Sequence, residues 1–385
     1  MAGWMRAPAI RRLSATAPRA DAPAGISVVI PSRNGRLLLA AQLPGIVRDL
    51  ALDPWSEVIV VDNGSNDGTG EWLAAEWPTV KVLVFPAPLS FAAAVNCGIG
   101  LARFSHVCLL NNDMLLEPGF FAALLRAFHA VPGLFCATAQ IRFPAGVRRE
   151  ETGKAVMAQA HPDDFPVRCE EPIAGEDLTY VLYGSGGCSL YHAGMLSALG
   201  GVDEAYAPAY VEDLDLGYRA WQRGWPTVFV AGAVVEHRHR ATTSRYYTEE
   251  QLAEILELNY LKFLTRAVAH GPLFRKLWQQ AVDRLRRRND RALRFAAGLA
   301  FAAVPAPEAL SPEEEFLALT GGDVAVFPGR LVDREPLVEF VDRMEAPADT
   351  ILASHSEIVL VRRGKDLALQ AARRWAHRKW AERPR

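Results

Sequence analysis

Residues 58–70, VIVVDNGSNDGTG, join four β-branched residues to a loop built from Asp, Asn, Gly, Ser and Thr. A short β-branched run that stops at Asx and Gly residues reads as a strand running into turns. Upstream, ISVVI (26–30) is a second such run, closed by Pro31, and residues 37–50 between the two carry a helical pattern. Strand, helix and strand in that order predict a βαβ unit with parallel strands. The pattern continues outward, with a helix over 71–76, a strand over 80–85, a helix over 91–104 and a strand over 107–110. The sheet-like runs stop after about five and their connections are irregular, which favours a doubly wound α/β layer over a closed barrel.

Downstream, residues 141–180 are polar and weakly periodic, as a variable insertion would be. Beyond them come GSGGCSL (184–190), a helical HAGMLSALG (192–200), the acidic YVEDLDLGYRAWQRG (210–224) and a final strand over 227–235 that ends in EHRHR. Residues 25–245 therefore read as one catalytic-sized domain, residues 1–24 as a disordered basic start, 246–300 as a basic helical extension and 301–385 as a C-terminal accessory region of mixed structure. Residues 262–300 hold ten Lys or Arg against two acids, a net of +8. Residues 301–360 carry a net of −9 and residues 361–385 a net of +7. Such blocks can neutralise one another by packing.

The whole chain of 385 residues has a formal charge of −2. Neither that balance nor any groove-reading or base-stacking motif calls for a nucleic-acid partner. The five cysteines form no CxxC pair, which argues for small buried hydrophobes in a reducing compartment and against a disulfide scaffold. The longest apolar run, residues 295–304, is too short to span a bilayer, so the expectation is a cytoplasmic protein with no integral membrane segment. The continuous apolar stretch of a signal peptide is not found near the start. Abundant Ala, Arg and Pro fit a bacterial, high-GC coding bias.

Several residues stand where chemistry is done. Asp62 follows a strand, and in an open parallel sheet ligands bind at the carboxyl ends of strands. It reads as an acceptor for a base or ribose, or as an Asx turn; Asp67 offers the same choice. Pro31 and Arg33 occupy the matching loop after the first strand, where Arg33 can reach a base or phosphate or pair at the surface. Neither GxGxxG nor GxxxxGK[ST] occurs here, which sets aside dinucleotide oxidoreductases and P-loop NTPases. Asn111, Asn112 and Asp113 close the fourth strand. Asp113 can hold a divalent cation that bridges two phosphates, or the triplet is a plain turn. Glu212, Asp213 and Asp215 crowd the start of a helix whose core stripe is Leu214, Tyr218 and Trp221. Capping of free amides explains some of that charge, but three carboxylates in four positions exceed it, and Asp213 is a candidate general base. His237 and His239 end the last strand as candidate cation ligands; without HExxH a zinc hydrolase is the lesser reading.

In order, IPSRN, VVDNGSNDGT, LLNND, GSGGCSL, GGVDEAY, YVEDLDLGYRAWQRGW and VVEHRH resemble the family 2 glycosyltransferases, across residues 26–240. The resemblance implies a GT-A nucleotide-binding fold, α/β with a mostly parallel central sheet. It is most similar to bacterial rhamnosyltransferase and galactofuranosyltransferase-like enzymes of cell-surface polysaccharide biosynthesis. By that resemblance Pro31, Arg33, Asp62 and Asn112 serve nucleotide-sugar recognition. Asp113 and His237 hold Mg²⁺ or Mn²⁺ beside the diphosphate, with His239 in reserve. Gly186 and Gly187 lie near the donor sugar, and Asp213, second residue of the ED pair, is the base, with Glu212 and Asp215 in support. Asn111 departs from the pattern, since many relatives carry a first carboxylate there.

The implied reaction is inverting transfer from a nucleotide sugar, dTDP-rhamnose ahead of UDP-hexoses, to a hydroxyl of a glycan or lipid-linked glycan. The alternative is a noncatalytic glycan- or nucleotide-sugar-binding protein, which would not need an ordered Asp62, Asp113 and Asp213. A nucleotide-sugar pyrophosphorylase would need a basic glycine-rich N-terminal loop that IPSRNGRLLL does not supply. The basic segment 262–300 reads as a solvated connector facing the acidic block, as a peripheral contact with the inner face of an anionic membrane, or as a homo-oligomer interface.

Overall fold

The computed structural model describes residues 22–51, 55–144, 177–181, 183–223, 225–238, 245–267, 324–327 and 359–362. β1 (Ile26–Ser32), β2 (Ser56–Asn63), β3 (Lys81–Phe85) and β4 (His106–Leu110) are the strands read from the β-branched runs, and α1 (Arg36–Leu50), α2 (Thr69–Glu76) and α3 (Phe91–Leu101) connect them. There follow β5 (Met114–Leu116), α4 (Phe120–Ala130), β6 (Cys136–Arg142), β7 (Thr179–Val181), β8 (Cys188–His192), α5 (Ala193–Ala198), a 3-10 turn (Glu204–Tyr206), α6 (Glu212–Gln222), β9 (Thr227–His237) and α7 (Glu249–Ala267).

Among the described residues nine strands form one sheet in the order β3-β2-β1-β4-β8-β6-β9-β5, with β7 also paired to β9. The expected parallel half is β3-β2-β1-β4. Beyond β4 the sheet is mixed: β8 runs antiparallel to both β4 and β6, whereas β6 and β9 are parallel. The sheet therefore has more strands than the roughly five runs visible in the sequence, because β5 to β8 are short or poor in β-branched residues.

Side chains alternate across the sheet. Ile26, Val28 and Ile30 face a core shared with Leu39, Leu43 and Ile46 of α1 and Phe120 and Leu124 of α4, whereas Val29, Ile59 and Val61 face Ala94, Val95 and Ile99 of α3. This period of two, with apolar residues on both faces, is what a buried parallel strand requires. Close approach of α3 depends on Gly98, where an added Cβ would lie 2.3 Å from Val29 Cγ1. α7, beyond residue 245, adds Leu261, Phe263 and Leu264 to the first core, with Phe263 edge-on to Tyr218 of α6. Cys108, Cys136 and Cys188 are buried free thiols, and Cys97 is partly buried.

Among the described residues no helix is long and apolar enough to cross a membrane. In the accessory region an antiparallel pair, β10 (Val324–Phe327) with β11 (Val359–Arg362), is described. Residues 1–21 of the start expected to be disordered, most of the expected 141–180 insertion and residues 268–300 of the basic segment lie outside the described residues.

Candidate active site

Topology gathers the candidate residues at one edge. The chain winds from β1 outward to β3 and returns as β4 on the other side of β1, so the order reverses between β1 and β4. Ligand crevices of open α/β sheets form at such switch points. β9 runs in the direction of β1, which brings His237 at its end to the same edge; β8 runs oppositely, which brings Gly186 and Gly187, just ahead of it, there too. Asn112 Nδ2 spans the switch point by donating to Ser32 Oγ at 2.9 Å.

At the end of β2, Asp62 is 2% exposed and accepts from the Ser65 amide at 3.1 Å. Burial pushes its carboxyl above the ordinary value, against the pull of the Ser65 hydrogen bonds. A desolvated acceptor of this kind gains from a ligand N–H or O–H. Asn34, in the left-handed region at φ 51, knits the two loops: its amide donates to Ser65 Oγ at 2.8 Å and its Oδ1 accepts from the Asn66 amide at 2.8 Å. Asp67, one residue before the Gly68 N-cap of α2, accepts from the backbone amides of Arg36 and Thr69 in an Asx-type turn. The Arg33 guanidinium lies 4.0 Å from the ring centroid of Tyr246, and its Nε is buried without a hydrogen bond. Tyr246 also accepts from Asn34 Nδ2 at 2.8 Å, and Arg245 donates to the Asn34 carbonyl at 2.8 Å. Pro31 lies beside them at the end of β1, paired in register with Val61.

At the end of β9, antiparallel pairing with β5 sets Met114 opposite His237. Asp113 Oδ1 then lies 3.5 Å from His237 Nε2, and Phe143 stacks over the imidazole. Asp113 is 7% exposed and this oxygen has no hydrogen-bond donor. An orphaned carboxylate oxygen beside an imidazole nitrogen fits a divalent cation whose remaining ligands are phosphate and water. Among the described residues no group of three or more His, Cys, Asp and Glu converges on one point. His239 lies outside the described residues.

The Gly184–Gly187 turn links this region to α6. The Asn111 amide donates to the Gly187 carbonyl at 2.8 Å, and the Gly186 amide donates to Asp213 Oδ2 at 3.3 Å. A Cβ at 187 would lie 2.2 Å from Asn111 Nδ2, so any larger residue there would displace the Asn111 side chain. Glu212 is buried, and burial with the negative charge of Asp213 pushes its carboxyl up to about 8. Asp215 is 2% exposed and accepts from Tyr206 Oη at 3.0 Å and Arg219 Nε at 2.6 Å. Its partners tie it into the fold, whereas Asp213 is only half-buried. Arg245, Tyr246, Phe143 and Asn259 stand at or behind the site without having been singled out from sequence. The RYY that follows VVEHRH by a few residues is the one sequence sign among them, an Arg-aromatic cluster downstream of the last strand.

A family profile described as "Glycosyltransferase like family 2" matches residues 23–255. An N-acetylglucosaminyl-diphospho-decaprenol L-rhamnosyltransferase of Mycobacterium tuberculosis is 29% identical over 218 residues, covering 51% of this chain and 71% of the relative. An uncharacterized protein, y4gI of Sinorhizobium fredii, is 25% identical over 248 residues, covering 62% of this chain and 27% of the relative. Among solved structures, GalNAc-T7 with UDP, GalNAc and Mn²⁺ is similar at a TM-score of 0.53 and 14% identity, covering 73% of this chain and 55% of that one. The likeness is one of fold, and the fold is GT-A.

Proposed function

The chain belongs to the family 2 glycosyltransferases, and from that premise we propose inverting transfer of a sugar, with dTDP-rhamnose the leading donor, to a hydroxyl of a polyprenyl-diphosphate-linked glycan. The observation that supports this reading most is the placement of three carboxylates along one sheet edge. Asp62 sits at the end of β2, Asp113 just past β4, and Asp213 is reached from Asn111 through the Gly186–Gly187 turn. The rhamnosyltransferase relative favours a rhamnosyl donor and a lipid-linked acceptor.

In this reading Asp62, Pro31 and Arg33 bind the nucleoside, and the peptide of Gly186 and Gly187 lies against the donor sugar with no side chain in between. Asn112, bonded to Ser32, ties together the two loops that face the diphosphate. Asp113 and His237 would hold Mg²⁺ or Mn²⁺ against the diphosphate, and the ion supplies stabilisation of the charge that develops on the leaving group. Asp213 accepts the proton of the acceptor hydroxyl as its oxygen bonds to the anomeric carbon. The bond from that carbon to the diphosphate oxygen breaks on the opposite face, which inverts the centre.

A thermal-shift panel of UDP-, GDP-, dTDP- and CMP-sugars with Mn²⁺ tests the donor assignment, followed by dTDP release from dTDP-rhamnose. Stabilisation by dTDP-rhamnose that is lost in Asp62→Ala is expected. No shift with any of the donors refutes the reading.

A further inference from the structure

The loop that leads into α6 takes a costly path. Tyr210 (φ 75) and Val211 (φ 76) are consecutive non-glycine residues in the left-handed region. For a β-branched residue such as Val211 this conformation persists only where the surroundings over-determine it. Asn259 of α7, 1% exposed, provides the restraint. Its Nδ2 donates to the carbonyls of Tyr206 at 2.7 Å, Ala209 at 2.8 Å and Tyr210 at 3.1 Å. Its Oδ1 accepts from Lys262 Nζ at 2.8 Å, and the same ammonium donates to the Ala205 carbonyl at 3.0 Å. The orientation of the carboxamide is thus fixed, and with it the peptide planes on either side of Tyr210. Those planes set the direction in which α6 starts, and Asp213 lies two residues past Val211.

We propose that Asn259 is a positioning residue for Asp213. By holding the carbonyls of the 206–210 loop it fixes the first turn of α6, and so keeps the Asp213 carboxylate against the Gly186 amide. The proposal rests on the reading of Asp213 as the general base.

The test is a double-mutant cycle on the full chain, read as dTDP release from dTDP-rhamnose with Mn²⁺ and as amide exchange over residues 183–188. Asn259→Ala should lower kcat by about 10-fold to 10²-fold, the scale of an ångström-level misplacement, with donor KM unchanged. It should also speed exchange at the Gly186 amide while the amides of β1 stay protected. In an Asp213→Asn background the same substitution should add nothing further to the loss. Lys262→Met, which frees the carboxamide to rotate but leaves it in place, should show the same pattern more weakly, and it decides the matter should Asn259→Ala not fold. An equal fall in both backgrounds, a fall carried by KM, or unchanged exchange at Gly186 overturns the positioning role. Should dTDP-rhamnose not turn over, the exchange at Gly186 decides alone. Undiminished turnover in Asp213→Asn overturns a different statement, that Asp213 is the base.

Discussion

Replacing Glu212 by Gln should remove a loss of stability that the wild-type protein suffers between pH 6.5 and 8. The Glu212 carboxyl is raised from 4.5 to about 8, by burial first and by the charge of Asp213 second, and its Oε2 has no hydrogen-bond partner. Between those two values the unfolded chain has released this proton and the folded chain retains it. The folded state therefore binds more protons, and stability falls with rising pH by about 1.4 kcal/mol per unit until the folded value is passed. Stability linked to Glu212 is thus fully present below 4.5 and is lost as pH climbs toward 8. His106 and His192 act in the opposite sense: burial lowers both from 6.5, His106 to about 4, and the stability they add levels off as pH rises past 6.5. Their contribution is common to wild type and Glu212→Gln, so the difference between the two proteins from pH 6.5 to 8 isolates Glu212. Those 1.5 units correspond to about 2 kcal/mol, or about 4–8 °C in melting temperature for a domain of this size.

Calorimetric melts of both proteins at three pH values across that window, without nucleotide or metal, measure the effect. Gln matches Glu in size and cannot ionise, and any cost of its buried carboxamide is the same at every pH. The difference in slope therefore carries the test, not the absolute melting temperature. Parallel slopes for wild type and Glu212→Gln would refute the argument that Glu212 is buried as the neutral acid.

Three further outcomes are expected. Asp213→Asn should lower transfer by about 10² to 10⁴ with donor affinity intact, as loss of a general base does; near-normal kcat at saturating substrates removes Asp213 from that role. Asp113→Ala should lose tight Mn²⁺ binding in the presence of dTDP, measured by electron paramagnetic resonance, and should not recover activity with Mg²⁺ or Mn²⁺ after chelation; a metal-stripped wild type of full activity excludes the cation. For the basic segment 262–300 and the C-terminal bases, sedimentation with vesicles should show binding to anionic but not neutral lipid that fades at physiological salt, at about 1 kcal/mol per engaged Lys or Arg. Equal partitioning to both lipids, or none, leaves those residues as solvated or packing surfaces.

The parallel half of the sheet was legible because β1, β2 and β4 end in loops whose Asn, Asp and Gly residues punctuate β-branched or Leu-rich runs. β6 was not, because CATAQIR has no alternation to read: six of its seven residues are buried, and its pairing with β8 and β9 holds it extended. α7 was only partly legible. The bases from Lys262 onward hide that its own Tyr260, Leu261, Phe263 and Leu264 are buried in the main core. The strand-end candidates Asp62 and Asp113 were visible because topology alone puts such positions at a crevice. Asn259 and Tyr246 were invisible, since a lone amide in a helix or a lone ring in a loop gains meaning only from the carbonyls or guanidinium that tertiary packing sets against it.

The acidic turn of α6 shows how one helix separates identical chemistry by direction. At about 100° per residue, positions 212 and 215 point within about 60° of each other, whereas 213 points well away from both. The two inward carboxyls are buried, and each meets the cost of burial in its own way: Asp215 by its ion pair with Arg219 and the hydroxyl of Tyr206, Glu212 by a rise in pKa to about 8. A second ionised carboxylate at 212 would set an unpaired anion one residue from Asp213. Burial and the charge of Asp213 push Glu212 toward its neutral form and Asp215 is ion-paired, so the outward carboxylate at 213 meets the Gly186 amide without such an anion behind it.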